Sequence, residues 1–89
     1  MWIMMHTINS FTQTGTMAKK KILLRFGEKV RELRKEKNLS QEELSFKADL
    51  HRTYIGMIER AEKNITLLNI SKIASALEVT VSELLSDIE

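Results

Sequence analysis

The side chains able to do chemistry in this sequence are few, and their spacing says more than their number. There is no cysteine, which excludes a disulfide framework, a thiolate zinc site and a cysteine nucleophile. The two histidines, His6 and His51, lie too far apart for a metal-ligand spacing. Nothing sets a serine, a histidine and an aspartate in a triad. No metal, no cofactor and no catalysis are therefore expected. Two short polar series remain. Ser40-Gln41-Glu42-Glu43 has the form of a capping box, in which the serine hydroxyl accepts from the N–H three residues on and the glutamate reaches back to the serine N–H. His51-Arg52-Thr53-Tyr54 sets a guanidinium, a hydroxyl with its methyl group and a phenol side by side. Arginine suits the O6 and N7 acceptors that guanine shows in the major groove, and threonine can offer a methyl to thymine or a hydroxyl to a phosphate.

These series need elements to hold them. Eighty-nine residues make about one domain with one small core. There is no proline, the three glycines are scattered, and Leu, Ile, Glu and Lys abound, which favours an all-helical chain. Leu23, Phe26, Val30 and Leu33, spaced by three, four and three, trace one stripe of a helix over residues 22–37, with Asn38 as its stop. Leu39 stands where a hydrophobic staple belongs, before a short helix from Ser40 to about Ala48 that turns Leu44 and Ala48 inward. Asp49-Leu50-His51 makes a tight turn into a third helix, Arg52 to about Arg60, which buries Ile55 and Ile58. Thr66 caps a fourth helix with the stripe Leu67, Ile70, Ile73, Ala74 and Leu77. A second capping box, Thr80-Val81-Ser82-Glu83, opens a fifth that carries Leu84, Leu85 and Ile88. The expected fold class is all-α, with five helices joined by short connections.

Charge divides the chain. Residues 19–37 hold nine Lys or Arg against three Glu, a net +6; residues 38–60 come to −1 and residues 61–89 to −3. A basic front and an acidic rear suit a molecule that turns one face to a polyanion. No apolar run approaches the roughly 20 residues of a membrane span. The first sixteen residues, MWIMMHTINSFTQTGT, contain no Asp, Glu, Lys or Arg and lack the form of a signal peptide. Met17-Ala18-Lys19-Lys20-Lys21 reads like a fresh start. The expected division is an N-terminal extension over 1–18, either a translated upstream stretch or a flexible arm, and one domain over 19–89. Lys19, Lys20 and Lys21 would be a basic arm that follows a nucleic-acid backbone, or a solubilising tail.

A short capped helix, a three-residue turn and a second short helix, SQEELSFKADLHRTYIGMIER over 40–60, make a helix-turn-helix, whose second helix lies in the major groove while the first crosses the backbone. The residues Leu39-Ser40-Gln41-Glu42-Glu43-Leu44, Tyr54-Ile55 and Ile58-Glu59-Arg60 resemble the lambda-repressor-like, or XRE-type, family, and the resemblance runs over roughly residues 22–86. Within it, Leu50-His51-Arg52-Thr53-Tyr54-Ile55, Ile58-Glu59-Arg60 and Lys63-Asn64-Ile65-Thr66-Leu67 resemble the controller proteins of restriction-modification systems. The resemblance implies a five-helix lambda-repressor-like domain and a small homodimeric repressor-activator. Such a protein acts on its own promoter and on an endonuclease gene. A different class shares the fold, namely antitoxin-type proteins that neutralise a toxin partner and repress their own operon; a phage-type repressor, usually with an added domain, is a third option.

The resemblance implies roles residue by residue. Arg52, Thr53, Tyr54 and Met57 would contact bases, although Tyr54 could instead pack or stack beside the backbone and Met57 could fill surface space. Gln41, at a helix start, would donate to a phosphate. His51 would cap the recognition helix or touch phosphate. Lys63, Asn64 and Asn69 fall where the resembled proteins touch the sugar-phosphate backbone. Glu59-Arg60 resembles a structural pair, with Arg60 bridging to an acidic neighbour. Leu68, Val79, Val81, Leu84, Leu85 and Ile88 supply more apolar surface than a monomer needs and are the expected dimer interface, matching a two-fold pseudo-palindromic operator on double-stranded DNA. Glu42 is the candidate contact to RNA polymerase. The location expected is cytoplasmic, on the nucleoid when bound. Two residues depart from the family pattern: Asp49 and Ala61 occupy positions where the family often has glycine. Gly56 lies inside the recognition helix, where small residues also occur in the family, at a cost of about 1 kcal/mol relative to alanine that close approach to DNA would offset.

Overall fold

A computed structural model describes residues 21–89, all of whose regular structure is helical. The extension over 1–18, with Lys19 and Lys20, lies outside the described residues. Helix α1 covers 21–36, α2 Gln41–Ala48, α3 Arg52–Glu59, α4 Leu67–Ala76 and α5 Val81–Leu84. The starts of α2, α4 and α5 follow from their caps. Ser40 and Glu43 close one capping box and Thr80 and Glu83 another, while the Thr66 hydroxyl accepts from the Asn69 N–H.

The helix ends obey one rule that the sequence states without glycine. Asn38, Asp49, Ala61 and Glu78 follow α1 to α4, and each has a positive φ between 55° and 60°. At each, the next residue's N–H bonds five residues back: Leu39 to Arg34, Leu50 to Ser45, Glu62 to Met57 and Val79 to Ala74. This is the Schellman arrangement, which satisfies carbonyls that a helix end leaves open. In three of the four the residue after the left-handed one is apolar, and Leu39, Leu50 and Val79 all pack against the core. Each stop therefore also sends the chain back over the core, which is how such short connections close a bundle.

The core is assembled from every helix: Phe26 and Val30, Leu44 and Ala48, Ile55 and Ile58, Ile73, Ala74 and Leu77, and Leu84. The stripes expected of α2 and α3 are the buried ones; in α1 Phe26 and Val30 are buried, Leu33 packs half-buried against the core, and Leu23 is only half-buried. In α4 the stripe is shorter than expected, because Leu67 at the first helical position is 72% exposed and points away from the bundle. Leu84 is fully buried. It is a core residue of the protomer, not a dimer-interface residue: it is the one fully buried side chain of the single-turn α5, with Val81 and Leu85 packed half-buried beside it.

Glycine matters where α1 crosses the end of α3. A Cβ on Gly27 would lie 2.6 Å from the Ile58 carbonyl oxygen and 2.8 Å from that of Glu59. Backbone cannot yield there as a side chain would. Gly56 differs: it is buried, and a Cβ would meet the Arg60 guanidinium at 3.1 Å and the Gln41 amide oxygen at 3.5 Å. Both neighbours are ends of side chains, so the crowding at Gly56 is of a softer kind than at Gly27.

Candidate nucleic-acid interface

The face that could read a polyanion is built by fixing α2 and α3 against each other and against α1. The fixing group is Glu59, at the end of α3, with a side chain only 4% exposed. Arg34 of α1 donates to both its oxygens, Nε to Oε2 at 2.7 Å and Nη2 to Oε1 at 3.0 Å. Gln41, first residue of α2, donates through Nε2 to Oε1 at 3.1 Å. Arg34 Nη1 also donates to the Leu39 carbonyl at 2.8 Å, tying down the connection before α2. One carboxylate thus collects three helices, and its charge is matched by a bidentate guanidinium, the geometry that makes a buried ion pair tolerable.

The series picked out from sequence then falls into place. Asp49 in the left-handed region turns the chain after α2, and His51 caps α3: its Nδ1 accepts from the Thr53 N–H at 3.1 Å. A ring accepting at Nδ1 carries its proton, when neutral, on Nε2, leaving a donor for the surface. Arg52 and Thr53 are exposed on the first turn of α3, Tyr54 and Met57 half-buried, and Lys63 and Asn64 exposed in the connection to α4. Gln41, His51, Arg52, Thr53, Gly56 and Arg60 line one shallow cleft of about 440 Å³ between the starts of α2 and α3. Two guanidiniums and no carboxylate face it. Asn69, half-buried on α4, donates through Nδ2 to the Tyr54 hydroxyl oxygen at 3.0 Å.

Several of these groups have intramolecular partners: those of Gln41 and Arg52 the sequence did not reveal, while the acidic neighbour of Arg60 and the Ser40–Glu43 box were expected. One Gln41 amide hydrogen is committed to Glu59, which leaves the other for a phosphate. Arg52 Nη1 lies 3.8 Å from Glu42 Oε2, a loose pair with both side chains more than two-thirds exposed, easily given up. Arg60 bridges to Glu62, Nε to Oε2 at 2.9 Å. That hydrogen-bonded pair raises the guanidinium pKa and lowers the Glu62 carboxyl below its ordinary value. The Ser40 backbone N–H, followed by its hydroxyl, lowers Glu43 in the same way, so the box holding the start of α2 keeps its charge at neutral pH.

Arg34 was not singled out from the sequence. The signal was there: residues 26, 30 and 34 are four apart, so Arg34 shares the face of the buried Phe26 and Val30. Phe46, 89% exposed on α2, was also passed over, although it stands two residues from both Leu44 and Ala48 and so on the opposite face of the helix.

The helix-turn-helix family model matches residues 30–84. The control protein C.MunI of Mycoplasma sp. is 51% identical over 69 residues, which are 76% of this chain and 93% of that protein. The control protein C.BamHI of Bacillus amyloliquefaciens is 55% identical over 65 residues, 72% of this chain and 80% of that one. The chain belongs to the helix-turn-helix family of restriction-modification controller proteins. Its fold agrees with solved controller structures: C.AhdI from Aeromonas hydrophila superposes with a TM-score of 0.69 at 48% identity, over 70% of this chain and 94% of that one. C.Esp1396I gives 0.68 at 34% identity, over 75% and 90%. Controller proteins are DNA-binding transcriptional regulators, not a family of enzymes. Among the described residues no helix is long and apolar enough to cross a membrane.

Proposed function

We propose that this controller protein is a cytoplasmic homodimer that binds a pseudo-palindromic operator in double-stranded DNA, regulating its own promoter and an adjacent endonuclease gene. The observation that carries the reading is the first turn of α3. There Arg52 and Thr53 project from a helix whose far end is clamped by Glu59 to both other helices of the unit. Reading base edges requires a protruding donor set on an element that does not move. Arg52, Thr53 and Met57 are assigned to the groove and Gln41, His51, Lys63 and Asn64 to the backbone; Tyr54, expected at the bases, is hydrogen-bonded to Asn69, and that pair is assigned to the backbone. Relatives named as control proteins favour this over the antitoxin reading, because they supply the class of gene under control.

The dimer face is assigned to Leu68, 68% exposed, with the half-buried Val79, Val81, Leu85 and Ile88; the exposed Leu67 adds to it. Glu42, exposed at the start of α2, is assigned to RNA polymerase.

Competition binding tests the reading. The purified chain should bind a duplex from upstream of its own gene at least a thousandfold tighter than random duplex, near the low end of specific recognition (about 10³–10⁷). Equal affinity for both at a fixed salt concentration would overturn it.

A further inference from the structure

Tyr54 is the single tyrosine of the chain and the one member of the α3 series held by another helix. Its ring packs against the core, and its hydroxyl oxygen meets the Asn69 side-chain amide at 3.0 Å. The direction of that bond matters. An amide nitrogen can only donate, so the phenol oxygen accepts, and the phenol's own hydrogen has no partner among the described residues. Asn69 is itself fixed: its backbone N–H donates to the Thr66 cap hydroxyl at 3.1 Å, which sets the side chain at the first turn of α4. Two helix starts, α3 and α4, are thus joined through one polar contact beside the Lys63 and Asn64 connection.

We propose that Asn69 is a positioning residue for Tyr54: by holding the phenol oxygen as an acceptor it leaves the O–H to donate outward to one phosphate oxygen of the DNA backbone. This rests on the DNA-binding reading. A hydroxyl that accepts one hydrogen bond becomes a better donor in a second, and a donor aimed at an anion forms the stronger kind of bond. Tyr54 then holds the duplex rather than reading it, in contrast to Arg52 two residues earlier. Phosphate contacts carry no sequence information, so its contribution is the same on any duplex.

The test uses the full chain as wild type, Tyr54→Phe, Asn69→Ala and the double variant, against the upstream duplex and a random one. Each single change is expected to weaken binding roughly five- to tenfold, equally on both duplexes. The double variant should be no weaker than either single one, because Asn69 acts only through the phenol. Raman spectroscopy of the free protein supplies a readout that a purely structural asparagine would not move. The intensity ratio of the tyrosine doublet reports whether the phenol oxygen accepts or donates. It should read as an acceptor in wild type and lose that character in Asn69→Ala. Asn69→Asp, which keeps the shape and suits a helix start, should invert the ratio, since a carboxylate makes the phenol the donor. Additive losses in the double variant, or a doublet indifferent to residue 69, would overturn the inference while leaving DNA binding intact. A wild-type chain that binds no duplex would remove the DNA reading and this inference together, with the free-protein spectra still deciding the hydrogen bond.

Discussion

Arg52 and Gln41 are close in space and opposite in the work assigned to them. Arg52 is more than two-thirds exposed, its nearest carboxylate is the loosely placed Glu42, and it is free to offer two donors to one guanine. Arg52→Ala should cost about 1–3 kcal/mol at the operator and narrow the gap to mismatched sites. Equal losses on operator and random duplex in competition binding would reduce it to a backbone contact. Gln41→Ala should weaken all duplexes alike, and it should also lower stability, because its amide is part of the Glu59 cluster. Ala61 poses a question of conformation rather than contact. It sits at φ 60°, where a Cβ costs roughly 1–2 kcal/mol and glycine pays nothing sterically. Its neighbours in the same role, Asn38 and Asp49, belong to the types that tolerate this region best. Ala61→Gly should therefore stabilise the fold by about 0.5–1 kcal/mol after the extra unfolded-state freedom of glycine is counted. Chemical denaturation showing a loss would contradict the strain assigned here.

Helix boundaries were legible because they rest on local chemistry. Ser40, Thr66 and Thr80 announce three starts, and the apolar periods of α1, α2 and α3 name their buried faces. The clamp between helices was not legible, because pairing across 25 residues leaves no local trace. Glu59 was recognised as structural, yet the partner nearest in sequence, Arg60, turns outward to Glu62 and Arg34 takes the inward place. Nor does composition distinguish Leu84, the last residue of a one-turn helix, from Leu85, the residue that caps it, of which only the first is fully buried. The clamp makes a strong demand on stability. Removing one partner of a buried pair strands the other, typically at about 3–5 kcal/mol. Glu59→Ala should fall toward that range, with the Arg34 side chain left 11% exposed and unmatched. Arg34→Met combined with Glu59→Leu should cost distinctly less than the sum of the two single changes. Strict additivity in denaturant melts would mean that the two side chains do not act as a unit.

For the whole molecule, one copy of this reading head would serve one half-site, and the proposed two-fold operator calls for two. Leu84 and Leu85 separate assembly from folding. Leu84→Glu places a charge in the core and should unfold the protomer, whereas Leu85→Glu should leave it folded but monomeric in sedimentation, with operator binding weakened. A folded, still dimeric Leu85→Glu protein would move the interface elsewhere. The uneven charge fits such an assembly: the basic N-terminal third is drawn to the duplex while the acidic C-terminal third, −3 over residues 61–89, is repelled by it. A dimer that fills a strong site first and a weaker neighbouring site later can do two things in sequence. On the proposed reading, at low concentration the upstream dimer would present Glu42 toward polymerase, and at high concentration the second dimer would cover ground that polymerase needs. Transcription from the protein's own promoter should then rise and afterwards fall as the chain is titrated into a purified polymerase system. Glu42→Gln should flatten the rise and keep the fall, with operator affinity measured in parallel because the side chain stands beside Arg52. A monotonic fall at every concentration would leave a repressor alone, and Glu42 would be no more than a favourable charge at a helix start.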